Sequence, residues 1–345
     1  MSYVLPTDLW NIRSLEGKVL GNFQSSEDLS VPLSLDAQKI LFEALKEQRP
    51  PLVKICKQKA CYAYAKLVRN EAEETAKLET LDDVLRGKAP EYRSHVVQVY
   101  QSFNYVHPII IMKAAQGIAV KNDGGQVVAR ITSLYELLSV PYITQIPLRF
   151  LLYVLVQLIV VFVKFQSILP GFAHNDMKLD NVLLEPLQRN EVLEYPEFGV
   201  RMPSCPFRIV LIDLETAVGG ELPKSKFSIP KQVQDMFGFG DDVAFCEYTD
   251  FHLLMLLIVW QVKQAAPAWS ITFLKFASSW PGMKSLFETH KEGNKMVTSM
   301  NRLTSSARSS LQTSIDSGVC PPLRSLLFHP IFDAVLDRTY DKSYE

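Results

Sequence analysis

The stretch His174-Asn175-Asp176-Met177-Lys178-Leu179-Asp180-Asn181, followed by the apolar run Phe207-Arg208-Ile209-Val210-Leu211-Ile212 and then Asp213, decides how the whole chain is read. Phosphoryl transfer asks for three kinds of group in one place: a carboxylate to orient the attacking hydroxyl, oxygen ligands for Mg²⁺ on the phosphates, and cations to offset developing charge. Asp176 can accept the hydroxyl proton and Lys178 can reach the transferred phosphate. Asn181 offers a neutral oxygen to the metal, and Asp213, ending an apolar strand, offers an anionic one.

Upstream, Leu52–Cys56, Val96–Tyr100 and Pro108–Met112 are short, β-branched-rich and bounded by turn or charged residues, which predicts strands. Asn70–Leu81 predicts a helix, with Asn70 as its cap and acidic residues in its first turn. Asn122-Asp123-Gly124-Gly125 reads as a turn inside an insertion. Beyond it the pattern turns helical, at Leu134–Leu138 and again over 148–166. The core of the second helix, Phe150–Val163, is almost wholly apolar, but a bilayer span needs about 20 such residues. A helix buried in a protein core is the expectation. Asn181–Leu184 and Phe207–Ile212 predict two strands flanking an excursion, Glu185–Pro206, too long for a hairpin turn. Thr249 opens another apolar helix, and the polar stretch Thr298–Ser317 reads as a solvated helix or loop. A small mixed α/β part followed by a larger helical part gives an α+β chain of two lobes with a cleft between them.

Charge is balanced, with 36 Lys+Arg against 37 Asp+Glu, so nothing electrostatic calls for nucleic acid or an acidic membrane as partner. The five cysteines form no CxxC pair and complete no zinc pattern with the six histidines. A sparse, odd set of cysteines suits a reducing compartment. Met1–Leu20 lacks the basic-then-apolar pattern of a signal peptide. The expectation is an intracellular protein of cytoplasm or nucleus, without stable membrane insertion.

The segment 174–181 resembles the catalytic loop of eukaryotic-type protein kinases, H-R-D-x-K-x-x-N, and Leu211-Ile212-Asp213-Leu214-Glu215 resembles the strand end that carries D-F-G. Lys54, in Leu52-Val53-Lys54-Ile55, is similar to the lysine of V-A-I-K. Glu74, followed by Leu78 and Leu81, matches its helical glutamate partner. Lys66 competes for the lysine role, but it stands so close before Glu74 that little chain remains for a strand-to-helix turn, so Lys54 is preferred. Ser34-Leu35-Asp36-Ala37-Gln38-Lys39 falls where the glycine-rich nucleotide loop belongs, with Ser34, Asp36 and Lys39 in place of its glycines, and Phe42-Glu43-Ala44 would continue the strand after it. Asp250 resembles the buried aspartate that anchors the catalytic-loop backbone. Leu326–Phe332, with His329-Pro330, resembles the segment that closes many kinase domains.

The resemblance implies a bilobal fold: an extension over 1–27, a β-rich lobe over 28–115, and a helical lobe over 116–345 with insertions near 116–130 and 185–206. It implies ATP and Mg²⁺ as cofactors and a serine/threonine hydroxyl on protein as acceptor. Asp176 and Lys178 would be catalytic, Lys54, Glu74, Ser34, Asp36 and Lys39 would bind the nucleotide, and Asn181 with Asp213 would hold the metal.

Departures from the pattern qualify this. Asn175 replaces the arginine of H-R-D, so a phosphorylated activation loop would lack its usual partner. Leu214-Glu215 replaces Phe-Gly, and no A-P-E follows within Thr216–Tyr248. Abbreviated patterns of this kind are similar to kinases of large DNA viruses, notably poxvirus serine/threonine kinases, which would put the protein in an infected cell. His174-Asn175-Asp176 and Ile212-Asp213-Leu214-Glu215 also resemble the H-N-D and I-D-x-E motifs of choline/ethanolamine kinases and aminoglycoside-type phosphotransferases. Lys178, the Leu78/Leu81 spacing and His329-Pro330 favour the protein-kinase reading. A non-catalytic, pseudokinase-like binding module is the third; retention of Lys54, Asp176, Lys178, Asn181 and Asp213 speaks against it.

Overall fold

The two faces of one sheet show how the first part of the chain is layered. The computed structural model describes residues 13–20, 29, 31–48, 52–57, 60–68, 73–121, 127–139, 142–223, 249–279 and 321–338. Strands β1 (Ser14–Glu16), β2 (Leu52–Lys57), β3 (Ala60–Leu67), β4 (Val99–Asn104) and β5 (Pro108–Lys113) form one sheet in the order β1-β2-β3-β5-β4. Only β1 joins in parallel, beside β2; the other pairs are antiparallel. Val53, Ile55, Ala63, Ala65, Ile109 and Ile111 point to one face, where they bury Ala37, Leu41, Ala44 and Leu45 of helix α1 (Leu35–Lys46). Ile110 and Met112 point to the other, into the larger core that includes Leu78, Leu81 and Leu85 of α2 (Glu73–Lys88). The period of two in the strands meets the 3.6 period of a helix on each side.

Helix α1 corrects one expectation. Ser34, Asp36 and Lys39 do not form a loop over phosphates, and Phe42-Glu43-Ala44 is not a strand. Ser34 caps α1, its hydroxyl accepting the amide of Ala37 at 3.3 Å, Asp36 sits in the first turn, and Lys39 faces solvent. An N-cap serine, a first-turn acid and apolar residues at 37, 41, 44 and 45 are an amphipathic helix start. Ala63 and Ala65 of β3 face α1 and Lys66, next in the strand, points away from it, so Ser34, Asp36 and Lys39 belong to the opposite side of the sheet from Lys66.

The remainder comprises a hairpin of β6 (Ile118–Lys121) and β7 (Val127–Ile131), helices α3 (Leu134–Leu138) and α4 (Leu148–Ile168), and strands β8 (Val182–Pro186), β9 (Leu193–Tyr195), β10 (Val200–Met202) and β11 (Phe207–Leu211). Helices α5 (Thr249–Ala265) and α6 (Ser270–Ser279) follow, then two 3-10 segments at Leu323–Phe328 and Pro330–Ala334. The excursion between β8 and β11 is ordered as the small β9–β10 pair, and the Tyr195 hydroxyl meets the buried His95 Nε2 at 2.9 Å. By length and composition α4 could cross a membrane, yet every residue from Leu151 to Phe162 is buried at the centre of the larger core. Its one internal polar residue, Gln157, accepts the amide of Ile209 at 2.9 Å and donates to the Phe207 carbonyl at 3.3 Å. Helix α4 is thereby tied to the first residues of β11. Asn70, Asn122–Gly125 and Thr298–Ser317 lie outside the described residues.

Candidate active site

Strands β8 and β11 build the floor of the site. Their antiparallel register pairs Val182 with Leu211, so the residue before one strand and the residues after the other are neighbours. The amide of Ile212 donates to the Asn181 carbonyl at 3.2 Å, which sets Asn181 beside Asp213. The Asn181 side-chain nitrogen donates to the Asp176 carbonyl at 2.7 Å and to Asp176 Oδ2 at 3.3 Å. With the nitrogen so engaged, the amide oxygen is the atom left for a metal.

The loop itself is fixed from beneath. Asp250, in the first turn of α5 and buried, accepts the amides of His174 at 2.6 Å and Asn175 at 3.0 Å. The His174 ring donates from Nε2 to the Ile212 carbonyl at 2.8 Å. Asn175 and Asp213 both have left-handed backbone, with φ of 63° and 64°. Asparagine and aspartate are the non-glycine residues that tolerate this region best. The turn at Asp213 swings its carboxylate out of the strand direction and toward the lysines.

Those lysines are Lys66 and Lys178. Lys66 Nζ lies 2.7 Å from Glu74 Oε2 and 2.8 Å from Asp213 Oδ1. Lys178 Nζ lies 2.8 Å from Asp176 Oδ2 and 3.7 Å from Asp213 Oδ2. Burial pushes the Asp213 carboxyl upward, but Lys66 and Lys178 together reverse this and hold it at about 2. Burial likewise weakens the charge on Lys66, and the carboxylates of Asp213 and Glu74 overcome it, raising the ammonium above the ordinary lysine range. Lys178 moves the same way, with Asp176 and Asp213 outweighing its burial. Glu74 goes the other way: its burial raises the carboxyl despite Lys66, with Asp213 adding repulsion. Its second oxygen, Oε1, is buried without a hydrogen-bond partner among the described residues.

The structure brings Glu74, Asp176, Lys178, Asn181 and Asp213 together, and places Lys66, not Lys54, between Glu74 and Asp213. Lys54 lies one strand further out, on β2 opposite Tyr64, while Leu52 is the residue opposite Lys66. β3 ends at Leu67 and α2 begins at Glu73, a separation within the usual length of such connections. Glu215 stands close by: oxygens of Glu74, Asp213 and Glu215 lie within 4.8 Å of one another. Near the chain end, His329 Nδ1 accepts the amide of Ile331 at 3.1 Å, and Leu326, Leu327 and Phe332 are buried.

No protein-family model and no curated protein matches this chain. Among solved structures it is similar to the crystal structure of the kinase domain of PF14_0431, from Plasmodium, at 15% identity and a TM-score of 0.38. That match covers 81% of this chain and 89% of the other.

Two contributors lie outside the sequence motifs. Lys77, one turn after Glu74, is fully buried and donates to the Glu215 carbonyl at 2.6 Å. Thr216 donates its hydroxyl to the His174 carbonyl at 3.0 Å. The only hint of Lys77 in the sequence is a lysine adjoining the apolar stripe of Leu78, Leu81 and Leu85.

Proposed function

We propose that this chain is a phosphotransferase of bilobal kinase architecture that moves the γ-phosphoryl group of Mg·ATP to serine or threonine hydroxyls on protein. The observation that carries the reading is the chain of charges Glu74–Lys66–Asp213–Lys178–Asp176, closed within hydrogen-bond reach or nearly so at each link. Asn181 and Asp213 supply a neutral and an anionic oxygen side by side, the hard donors that suit Mg²⁺. Bound there, the metal and nucleotide would supply charge neutralisation and the phosphoryl group itself.

The protein's own groups do the rest. Glu74 holds the Lys66 ammonium in place to pair with phosphate oxygens. Asp176 orients the acceptor hydroxyl and takes its proton. Lys178 offsets charge on the transferred group, and Asp250 keeps the loop backbone from yielding as it does so. The cover over the nucleotide differs from a glycine-rich hairpin, since α1 occupies that stretch of chain.

Glu215 beside Asp213 favours a second reading, transfer to a small alcohol, because D-x-E is the spacing of the choline and aminoglycoside phosphotransferases. The narrower likeness to poxvirus kinases rests on the motifs alone. Incubation with labelled ATP and Mg²⁺ against protein acceptors, choline and an aminoglycoside separates the readings. Label on protein supports the first, label only on a small alcohol the second, and none on any acceptor neither.

A further inference from the structure

The segment that follows Asp213 is gripped at two successive carbonyls by side chains from two different elements. Lys77 of α2 donates to Glu215 O at 2.6 Å, and Asn175 of the catalytic loop donates through Nδ2 to Thr216 O at 3.2 Å. Thr216 returns a bond to His174 O, and Ala173 and Val218 exchange backbone hydrogen bonds at 3.0 and 2.8 Å. Lys77 is 0% exposed and Asn175 4%. A lysine ammonium is costly to bury unless acceptors meet it, and a hydrophobic side chain would fill the same space in α2 at lower cost. Its placement therefore calls for a reason beyond packing.

That reason lies in what shares its helix face. Glu74 and Lys77 stand three residues apart on α2, the spacing of neighbours on one side of a helix. Glu74 reaches Asp213 through Lys66, and Lys77 reaches Glu215 directly. Helix α2 thus holds both ends of the Asp213–Glu215 turn, while Asn175 ties its continuation to the catalytic loop. We propose that Lys77 and Asn175 are positioning residues. Together they clamp residues 213–216 between α2 and the catalytic loop and keep Asp213 aimed at Lys66 without any covalent modification of the chain. The inference rests on the phosphotransferase reading for its consequence, and on geometry alone for the clamp.

The clamp and the reading fail separately under two measurements on the full chain. Hydrogen exchange at residues 214–218 reads the clamp without catalysis. Lys77→Met keeps the apolar stem and removes the donor; Asn175→Gly removes the amide while suiting the positive φ. Each is expected to speed exchange at 214–218 by about tenfold or more, with protection in α4 and α5 retained. Unchanged protection at 214–218 in both variants, or protection lost evenly throughout the chain in both, overturns the clamp. Where wild-type protein transfers phosphate, Lys77→Met should lower kcat about tenfold or more with KM for Mg·ATP changed less than about threefold. Phosphatase-treated wild-type protein should keep its rate, and a tenfold loss after that treatment overturns the inference. Wild-type protein that transfers no phosphate to any acceptor refutes the phosphotransferase reading and leaves the exchange result to decide the clamp.

Discussion

The Lys66 ammonium stands 2.8 Å from Asp213 Oδ1 although 147 positions of sequence separate the two residues. One comes from the middle strand of the N-terminal sheet and the other from the end of β11. Their contact joins the α2-covered face of the sheet to the β8–β11 floor, and Glu74 completes it from α2.

Removing this lysine should cost far more than removing its neighbour. Lys66→Met is expected to lower phosphoryl transfer by about 10²-fold or more. Lys54→Ala should stay within about threefold of wild type, because Lys54 sits one strand away, opposite Tyr64. Steady-state rates of the two purified variants check this, and equal losses would return the role to Lys54.

Asp250→Ala should destabilise the protein rather than merely slow it. The substitution leaves the buried amides of His174 and Asn175 without their acceptor, at about 1–3 kcal/mol for each. A shift of the urea midpoint measures it. Asp250→Asn, which keeps one acceptor oxygen, should fall between the variant and wild type.

Acid stability should carry the signature of Asp213. Its folded carboxyl is held at about 2, below the ordinary value of about 3.9. A depressed carboxylate contributes stability that is fully present above the unfolded value and is lost as pH falls through the folded one. Unfolding free energy should therefore decline between about pH 4 and pH 2, and Asp213→Asn should flatten that part of the curve. Chemical denaturation at several pH values in that window provides the test.

Helix α4 should behave as a core element. Leu158 is fully buried, so Leu158→Ala is expected to cost about 2–5 kcal/mol. The change should appear in the denaturation midpoint of protein purified without detergent. A variant as stable as wild type would show that the α4 packing is not what holds the larger core.

The chemistry-bearing loop is legible in sequence because its members are close together and flank two apolar strands. Asp176, Lys178 and Asn181 share one short segment, and the β8–β11 pairing that delivers Asp213 is announced by two short apolar runs. Strand β3 is less so. Ala60–Leu67 reads ACYAYAKL, and its alanines do not signal a strand; pairing with β2 on one side and β5 on the other makes it one. Lys66 is hidden for that reason, and Lys54 attracts attention because it sits in a more β-branched run. The Ser34–Lys39 stretch shows the converse. Its capping serine and apolar spacing specify α1 locally, while aligning it to a glycine-rich loop overrides the helical period. Lys77 is opaque to sequence reading because lysine is ordinarily a surface residue, and only the packing of α2 against residues 214–216 reveals that it is not.

The most direct test of the central claim is phosphoryl transfer by wild-type protein and Asp176→Asn, measured with labelled ATP and Mg²⁺ and read by identifying the modified amino acid. Asp176 is expected to act as the base, so wild type should label serine and threonine on protein, and the variant should lose about 10²-fold or more in rate. An Asp176→Asn protein that transfers phosphate at the wild-type rate would contradict the account, as would label that appears only on choline or an aminoglycoside.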